Sequence, residues 1–148
     1  LNNELTDFNT AIPHPNTPEP GKRPRSSMSP TIAFAPDGRA IAFGSPGGST
    51  IITTVVGIAT NLIDFDLTLP KAISAPRLSQ RNGSTTTIEP GGTEDVAQLN
   101  QLGHHLRTVD EIGAATGLQL FPNGTMQAAA EPSRRGGGAS MVVNPSSE

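Results

Sequence analysis

The centre of the chain reads Ala40-Ile41-Ala42-Phe43-Gly44-Ser45-Pro46-Gly47-Gly48-Ser49-Thr50-Ile51. An apolar run of strand-forming length leads into two adjacent glycines, and these lead into a long apolar segment that reaches Ile63. The length of that segment and the spacing of its apolar residues favour a buried helix over a strand. We therefore predict a strand, a tight turn and a helix that runs from Ser49, as its N-cap, to about Ile63.

The two adjacent glycines are candidates for chemistry. The free N–H groups and the positive end of the helix dipole would point at whatever lies before Ser49. Gly47 and Gly48 have no Cβ, so a reacting group could approach their amides as closely as an oxyanion hole or an anion site requires. A phosphate-binding loop of the Walker type is excluded because no Gly-Lys-Ser/Thr follows. The alternative is a structural strand–helix connection in which the glycines only allow a sharp turn.

Two β-hairpins and two further helices are predicted around this unit. The hairpins comprise residues 31–34 and 40–43 around Asp37-Gly38, where a type I′ turn needs positive φ at both central residues, and residues 118–121 and 125–128 around Asn123-Gly124. One helix is expected from about Leu69 to Ala75, where Pro76 ends it, and another from about Thr93 to Leu106. This order argues for an α+β fold with helices packed on an antiparallel sheet.

The composition indicates a core that is thin in large side chains. The 148 residues are 34% hydrophobic and 3% aromatic, and they include 16 Gly and 14 Pro. We read this as an incomplete folding unit, and we expect uncovered apolar sheet surface to cause self-association. Residues 8–25 are predicted to form a Pro-rich loop, and residues 132–148 a Gly-rich tail with a frayed end.

Charge, cysteine content and histidine placement exclude several classes of protein. The net charge of −3 argues against a nucleic-acid binder, and the absence of Cys excludes thiol catalysis, disulfides and thiolate zinc sites. The longest apolar stretch, residues 51–63, is too short to span a bilayer. His104 and His105 would point in different directions on a helix, so no metal site is predicted.

Two pairs of polar residues could bind a zwitterionic ligand. Ser26 and Ser27 could donate hydroxyl hydrogen bonds to a carboxylate, and Glu4 and Asp7 could hold an ammonium group. Taken alone, a serine pair in a loop is more often solvated or turn-forming, and an isolated carboxylate pair is more often a surface feature.

Taken together and in this order, these segments resemble the C-terminal part of the small subunit of gamma-glutamyltranspeptidases, which are N-terminal-nucleophile hydrolases. The resemblance covers essentially the whole chain, and its most specific part is the serine segment combined with the Gly-Ser-Pro-Gly-Gly-Ser run. The matching pieces are residues 1–8, Lys22-Arg23-Pro24, Ser26-Ser27-Met28-Ser29-Pro30, residues 44–49, Ile51-Ile52-Thr53-Thr54, Ala75-Pro76-Arg77, and Glu131-Pro132 with Arg134.

The resemblance implies an αββα four-layer sandwich made as a precursor that cleaves itself into two subunits. An N-terminal Thr of the small subunit would attack the gamma-glutamyl amide, and the acyl-enzyme would pass its gamma-glutamyl group to water or to an amino-acid or peptide acceptor. The implied substrate is a gamma-glutamyl compound such as glutathione, with no cofactor or catalytic metal, and the implied location is periplasmic, secreted or cell-surface. By the same resemblance, Gly47 and Gly48 supply oxyanion-hole amides, Ser26 and Ser27 bind the substrate α-carboxylate, and Glu4 and Asp7 bind its α-ammonium group.

This sequence departs from the family pattern at two points. The nucleophilic Thr is absent from the 148 residues, so the chain alone is expected to be inactive and to need the large subunit and the N-terminal part of the small subunit as partners. Arg25 stands where the family has an apolar residue, and it would either assist the carboxylate site or point to solvent. The alternatives are a cephalosporin acylase or a polyglutamate-processing amide transferase on the same scaffold, and a non-catalytic assembly module.

Overall fold

The structure is a computed structural model that describes residues 3–143. That range contains seven strands, three α-helices and short 3-10 turns at Glu4–Asp7, Gly48–Thr50 and Arg134–Gly136. The elements are β1 (Thr31–Phe34), β2 (Ala40–Gly44), α1 (Ile51–Ile63), α2 (Leu69–Ser74), β3 (Leu78–Ser79), β4 (Thr86–Ile88), α3 (Val96–Gln101), β5 (Leu106–Thr108), β6 (Thr116–Leu120) and β7 (Met126–Ala130). The predicted α+β class is confirmed. No helix or strand lies within the predicted Pro-rich loop 8–25.

The main sheet has four antiparallel strands in the order β1-β2-β6-β7. Thr31 of β1 pairs with Phe43 of β2, Gly44 of β2 pairs with Thr116 of β6, and Thr116 also pairs with Ala130 of β7. The start of β1, the end of β2, the start of β6 and the end of β7 therefore lie at one end of the sheet. We call this the site end.

The two predicted hairpins are confirmed, but the first turn is not of the predicted type. The Gly38 N–H donates to the Ala35 carbonyl (2.9 Å), which makes Pro36 and Asp37 the central residues and leaves positive φ (88°) to Gly38 alone. Proline fixes φ near −65°, so a type I′ turn cannot form there. The loop 121–125 has the same arrangement, and both turns lie opposite the site end.

The first two helices agree with the prediction except at one terminus. A 3-10 turn, Gly48–Thr50, precedes α1, so Thr50 and not Ser49 is the N-cap residue, and it makes no side-chain cap bond. The hydroxyl of Ser49 instead accepts a hydrogen bond from the exposed Arg81 guanidinium. No helix within residues 3–143 is long and apolar enough to cross a membrane.

The third predicted helix is wrong over more than half of its length. Only Val96–Gln101 is helical, because Gly103 takes a positive φ (90°) and the following Leu106–Thr108 forms β5. Strand β5 runs parallel to β4, which also pairs antiparallel with β3 in a second sheet. These strands of two or three residues are too short to show a periodicity in the sequence.

One face of the main sheet packs against α1 and α2. We call it the inner face, and Phe43, only 5% exposed, lies on it beside Ile41. From the helices, Ile58, Leu69 and Ile73 are almost completely buried. The core therefore joins the first hairpin to both helices, as the predicted packing requires. Its buried members are Ile41, Phe43, Val55, Ile58, Leu69, Ala72, Ile73, Ala115 and Ala129.

The opposite, outer face of the main sheet is also apolar, but it is exposed. Phe34 is 82% exposed although it lies on the same strand pair as the buried Phe43. A sheet that is apolar on both faces is typical of one buried between two layers. The outer face therefore presents an apolar patch that another layer could cover. It consists mainly of Ile32, Phe34, Leu118, Leu120 and Met126.

We expect the 148-residue chain by itself to self-associate and to bind an apolar dye through this outer face. Replacing Ile32 and Phe34 with Thr should reduce both effects, because it removes two of the most exposed apolar side chains of the patch. Sedimentation velocity and dye fluorescence would measure the change. Phe65→Thr is the matched control, since Phe65 is exposed but lies outside the sheet. A monomer with a sharp melt and no dye binding would contradict this expectation.

Candidate functional site

The strand order brings four connecting segments together at the site end. Residues 26–30 lead into β1, residues 44–48 leave β2, residues 112–115 lead into β6, and residues 131–134 leave β7. The serine and glycine motifs, distant in sequence, therefore emerge from adjacent strands. The candidate site is built on this end of the sheet.

The glycine turn has backbone conformations that favour glycine. Gly47 has φ 148°, and a Cβ on it would lie 2.5 Å from Thr50 Oγ1, whereas Gly48 has φ 54° with open space around it. Within residues 3–143, neither glycine N–H meets a hydrogen-bond acceptor of the chain. Both lie at the N-terminal end of α1, where the helix dipole is positive. The arrangement can therefore stabilise a negatively charged oxygen.

Ser45 and Gly113 hold this turn against the start of β6. The Ser45 hydroxyl donates to the Pro46 carbonyl (2.7 Å) and accepts the N–H of Ala114 (3.1 Å). Gly113 has φ 68°, and a Cβ there would lie 2.6 Å from Ser45 Oγ. Only glycine allows the two segments to approach this closely. Ser45 belongs to the predicted glycine motif but had no assigned role, and Gly113 was not predicted to be part of the site.

A buried ionic cluster lies behind these segments. It consists of Arg77, Glu89, Glu131 and Arg134, each at most 9% exposed, so its formal charges sum to zero. Arg134 pairs with Glu131 (2.7 Å) and with both oxygens of Glu89, while Arg77 pairs with Glu131 (2.8 Å). Arg77 also donates to the carbonyl of Ile112 (2.6 Å), whose N–H donates to Glu89. The cluster thus holds both backbone groups of the residue that precedes Gly113.

Contacts within the cluster favour the charged forms of Glu89 and Arg134. Burial alone would raise the pKa of Glu89, but hydrogen bonds from Arg134 and from the N–H groups of Ile112 and Arg77 outweigh it and lower that pKa below its ordinary value. Burial, helped by the charge of Arg134, lowers the pKa of Arg77. Burial also opposes the charge of Arg134, but contacts with Glu89 and Glu131 raise its pKa above the ordinary value.

The Asn16 side chain connects the two predicted head-group segments, one with Glu4 and Asp7 and the other with Ser26 and Ser27. Glu4 and Asp7 lie in a 3-10 turn and are half-buried, while Ser26 is exposed and Ser27 is half-buried. The Asn16 side chain donates to the Asp7 carbonyl (2.6 Å), and its oxygen accepts the N–H of Arg25, the residue before Ser26. Arg25 is exposed. Residues 1–2 of the matching N-terminal piece, and the tail residues 144–148, lie outside the described residues.

Sequence signals for the missed residues are weak or absent. Glu89 carries no such signal, because the buried strand before it, Thr86–Ile88, is too short to be recognised in the sequence. Arg77 and Arg134 were part of the matching motifs without an assigned role. Among residues 3–143, no group of three His, Asp or Glu side chains is placed to hold a metal ion.

The main sheet ends in the glycine turn and packs α1 and α2 on one face. This arrangement is the one expected for part of an N-terminal-nucleophile hydrolase fold. A family model described as gamma-glutamyltranspeptidase matches residues 1–141, and the chain belongs to that family. The crystal structure of an acivicin-inhibited gamma-glutamyltranspeptidase is similar, with a TM-score of 0.79 and 34% identity over 91% of this chain and 80% of that chain.

Two curated relatives extend this comparison. A glutathione hydrolase proenzyme of Bacillus subtilis (strain 168) is 39% identical over 147 residues, which cover 97% of this chain and 25% of that protein. An acylase ACY 1 proenzyme of Pseudomonas sp. (strain V22) is 34% identical over 134 residues, which cover 87% of this chain and 23% of that protein. The chain therefore spans a quarter or less of the length of these relatives.

We predict that the ionic cluster makes the stability of the chain depend on acid pH. The lowered pKa of Glu89 stabilises the fold above the pKa of this carboxyl in the unfolded chain, and the stabilisation is lost as the pH falls through the folded-state value. Glu89→Gln should lower the free energy of unfolding by about 3–5 kcal/mol at pH 7, because Arg134 would lose a charged partner. Urea unfolding at pH 3–7 would measure both effects.

Glu94→Gln is the matched control, because Glu94 is exposed. This variant should unfold like the unmodified chain at every pH. A constant difference between Glu89→Gln and the unmodified chain from pH 7 to pH 3 would show that the Glu89 charge does not stabilise the fold.

Proposed function

We propose that this chain forms the substrate pocket and oxyanion hole of a gamma-glutamyltransferase or glutathione hydrolase. The observation that carries the proposal is that the amides of Gly47 and Gly48 have no acceptor within residues 3–143 and lie at the start of α1, at the sheet end from which Ser26 and Ser27 also emerge. Family membership and the glutathione hydrolase relative support this reaction class.

In this mechanism the nucleophile, a Thr supplied by another part of the proenzyme, attacks the γ-carbonyl of the donor. The carbonyl oxygen becomes negatively charged, and the amides of Gly47 and Gly48 donate hydrogen bonds to it. The α-amine of that Thr takes the hydroxyl proton and passes it to the leaving amine, so collapse of the intermediate breaks the C–N bond and leaves a gamma-glutamyl ester on the Thr. Water or an amino-acid or peptide acceptor then takes the gamma-glutamyl group.

The remaining polar residues would hold the glutamyl head group. Ser26 and Ser27 donate hydroxyl hydrogen bonds to its α-carboxylate, and Glu4 and Asp7 balance the charge of its α-ammonium group. No catalytic metal or cofactor takes part in this mechanism.

The partner in this proposal is the rest of a longer proenzyme. The chain spans 25% of the Bacillus subtilis relative, and its outer sheet face is apolar and exposed. The large subunit and the preceding part of the small subunit would cover this face and complete the sandwich. This covering would replace the self-association that we expect of the chain alone.

A second candidate function is suggested by the acylase ACY 1 proenzyme, which is 34% identical to this chain. The Ser26/Ser27 and Glu4/Asp7 pairs weigh against this alternative, because they suit the α-carboxylate and α-ammonium group of a free glutamyl head group. Assays of the complete proenzyme on gamma-glutamyl and cephalosporin amides would separate the two functions. Exclusive turnover of cephalosporin amides would reject the proposal.

We expect Ser26→Ala and Ser27→Ala, made in the complete proenzyme, each to lower kcat/KM for a gamma-glutamyl anilide by about tenfold to a hundredfold. Each change removes a hydroxyl donor to a carboxylate. Steady-state kinetics per active site would measure the effect. Ser74→Ala is the matched control, because this exposed serine bonds only within the last turn of α2. Unchanged kinetics of the Ser26/Ser27 double variant would reject the assignment.

Gly48→Ala should lower kcat of the proenzyme by about a hundredfold to a thousandfold, because a Cβ there would crowd the substrate carbonyl or turn the Gly48 amide away from it. A Cβ at Gly48 meets no atom of this chain within 4 Å, so the change introduces no clash and only the strain of a positive φ, about 1–2 kcal/mol. Turnover per folded active site and the thermal midpoint would be measured together.

Gly124→Ala is the matched control for the backbone strain. Gly124 also has positive φ (81°) and open space, but it lies in the hairpin turn opposite the site end. Both variants should lose similar stability, and only Gly48→Ala should lose turnover. Normal turnover with reduced stability in both would mean that the glycine turn is purely structural.

A further inference from the structure

The side-chain amide of Asn16 has a hydrogen-bond partner for each of its two polar atoms. Its Nδ2 donates to the Asp7 carbonyl (2.6 Å) and to Asn9 Oδ1 (3.2 Å), and its Oδ1 accepts the N–H of Arg25 (3.1 Å). Its backbone is also held, because its carbonyl accepts the N–H of Asn9 (2.9 Å). A half-buried amide with this set of bonds has one orientation.

These bonds connect two segments that lie far apart in sequence. Asp7 and Arg25 are each nine residues from Asn16, and the loop between them contains no helix or strand. Asp7 belongs to the carboxylate pair, and Arg25 is bonded directly to Ser26 of the hydroxyl pair. Asn16 therefore links the segment that carries one pair to the segment that carries the other.

We propose that Asn16 is a positioning residue that sets the spacing between the carboxylates Glu4 and Asp7 and the hydroxyls of Ser26 and Ser27. This inference rests on the proposed function. The α-ammonium and α-carboxylate of a glutamyl donor sit on one carbon, so their separation is fixed. A site that recognises both groups must hold its two halves at a matching distance, and a displacement of about 1 Å weakens one of the two contacts.

Loss of the Asn16 bonds should affect recognition of the glutamyl head group and leave the oxyanion hole intact. Loss of the Asn16 link moves the head-group residues relative to each other, whereas Gly47 and Gly48 are held by a different set of contacts around Ser45 and Gly113. Binding of a complete glutamyl head group should therefore weaken while the reacting carbonyl keeps its oxyanion donors. Binding of a donor that lacks the α-ammonium group should weaken much less.

The test compares two anilide donors on the complete proenzyme. One is L-γ-glutamyl-4-nitroanilide, and the other is glutaryl-4-nitroanilide, which lacks the α-ammonium group. Asn16→Asp should raise KM for the glutamyl donor by about tenfold, the worth of one or two hydrogen bonds, and change kcat by less than about threefold. The KM for the glutaryl donor should change by less than about twofold. Inhibition by free L-glutamate should weaken in parallel with the glutamyl KM.

Asn16→Asp is nearly isosteric and keeps the acceptor for Arg25, but it loses the donor to Asp7. Asn16→Ala removes both bonds and should show a larger shift of the same kind. Thr17→Val is the matched control, because its hydroxyl donates only to the His14 carbonyl within the same loop (2.6 Å) and joins no other segment. It should leave both KM values unchanged.

The possible results separate this inference from the proposed function. No turnover of any gamma-glutamyl donor by the unmodified proenzyme would reject the proposed function. Normal turnover, with equal losses on both donors or with a lower thermal midpoint at unchanged KM, would reject the role of Asn16 alone. A shift of the glutamyl KM that Thr17→Val reproduces would likewise reject it.

Discussion

Two arginines and two glutamates, buried behind the sheet end, join the main sheet to the second sheet, between which residues 3–143 form no strand pairing. Arg77 follows α2, Glu89 follows β4, and Glu131 and Arg134 follow β7. Breaking such a cluster by removing one charge costs several kcal/mol, because the remaining charges stay buried without a full set of partners. The cluster therefore fixes the relative positions of α2, the second sheet and the end of β7. Through Ile112 it also holds the segment before β6.

The candidate site depends on the arrangement that the ionic cluster fixes. Gly113, next to Ile112, lies against the Ser45 hydroxyl, and this contact supports the turn that presents the amides of Gly47 and Gly48. The antiparallel order of the main sheet completes the site, because it places the loop before β1 beside the loop after β2. Rigid elements thus position the amides, whereas the proposed head-group residues lie on a 3-10 turn and a loop, which the side-chain bonds of Asn16 connect.

The apolar outer face of the sheet is exposed, whereas the inner face is buried in the core. Phe43 is buried within the chain against α1 and α2, whereas Phe34, one strand away, has nothing covering it. The chain spans 25% of its Bacillus subtilis relative, and in the proposed assembly the remainder of a longer proenzyme covers this face. In that assembly the low aromatic content describes one portion of a larger core, and folding of the chain is coupled to its assembly.

The sequence by itself determined the features that rest on local patterns. Apolar runs around Pro-Asp-Gly and Pro-Asn-Gly specify the two hairpins, and a long apolar segment after two glycines specifies α1, because these preferences act over a few neighbouring residues. Its motifs also determined the family. Only the tertiary structure decided the second sheet, the early end of α3, the ionic cluster and the bonds of Asn16. Each of these depends on pairing between distant residues: β4 with β5, Arg77 with Glu131, and Asp7 with Arg25 through one side chain. Such pairings leave no periodicity along the chain, since their energy comes from burial and from partners that only folding brings together.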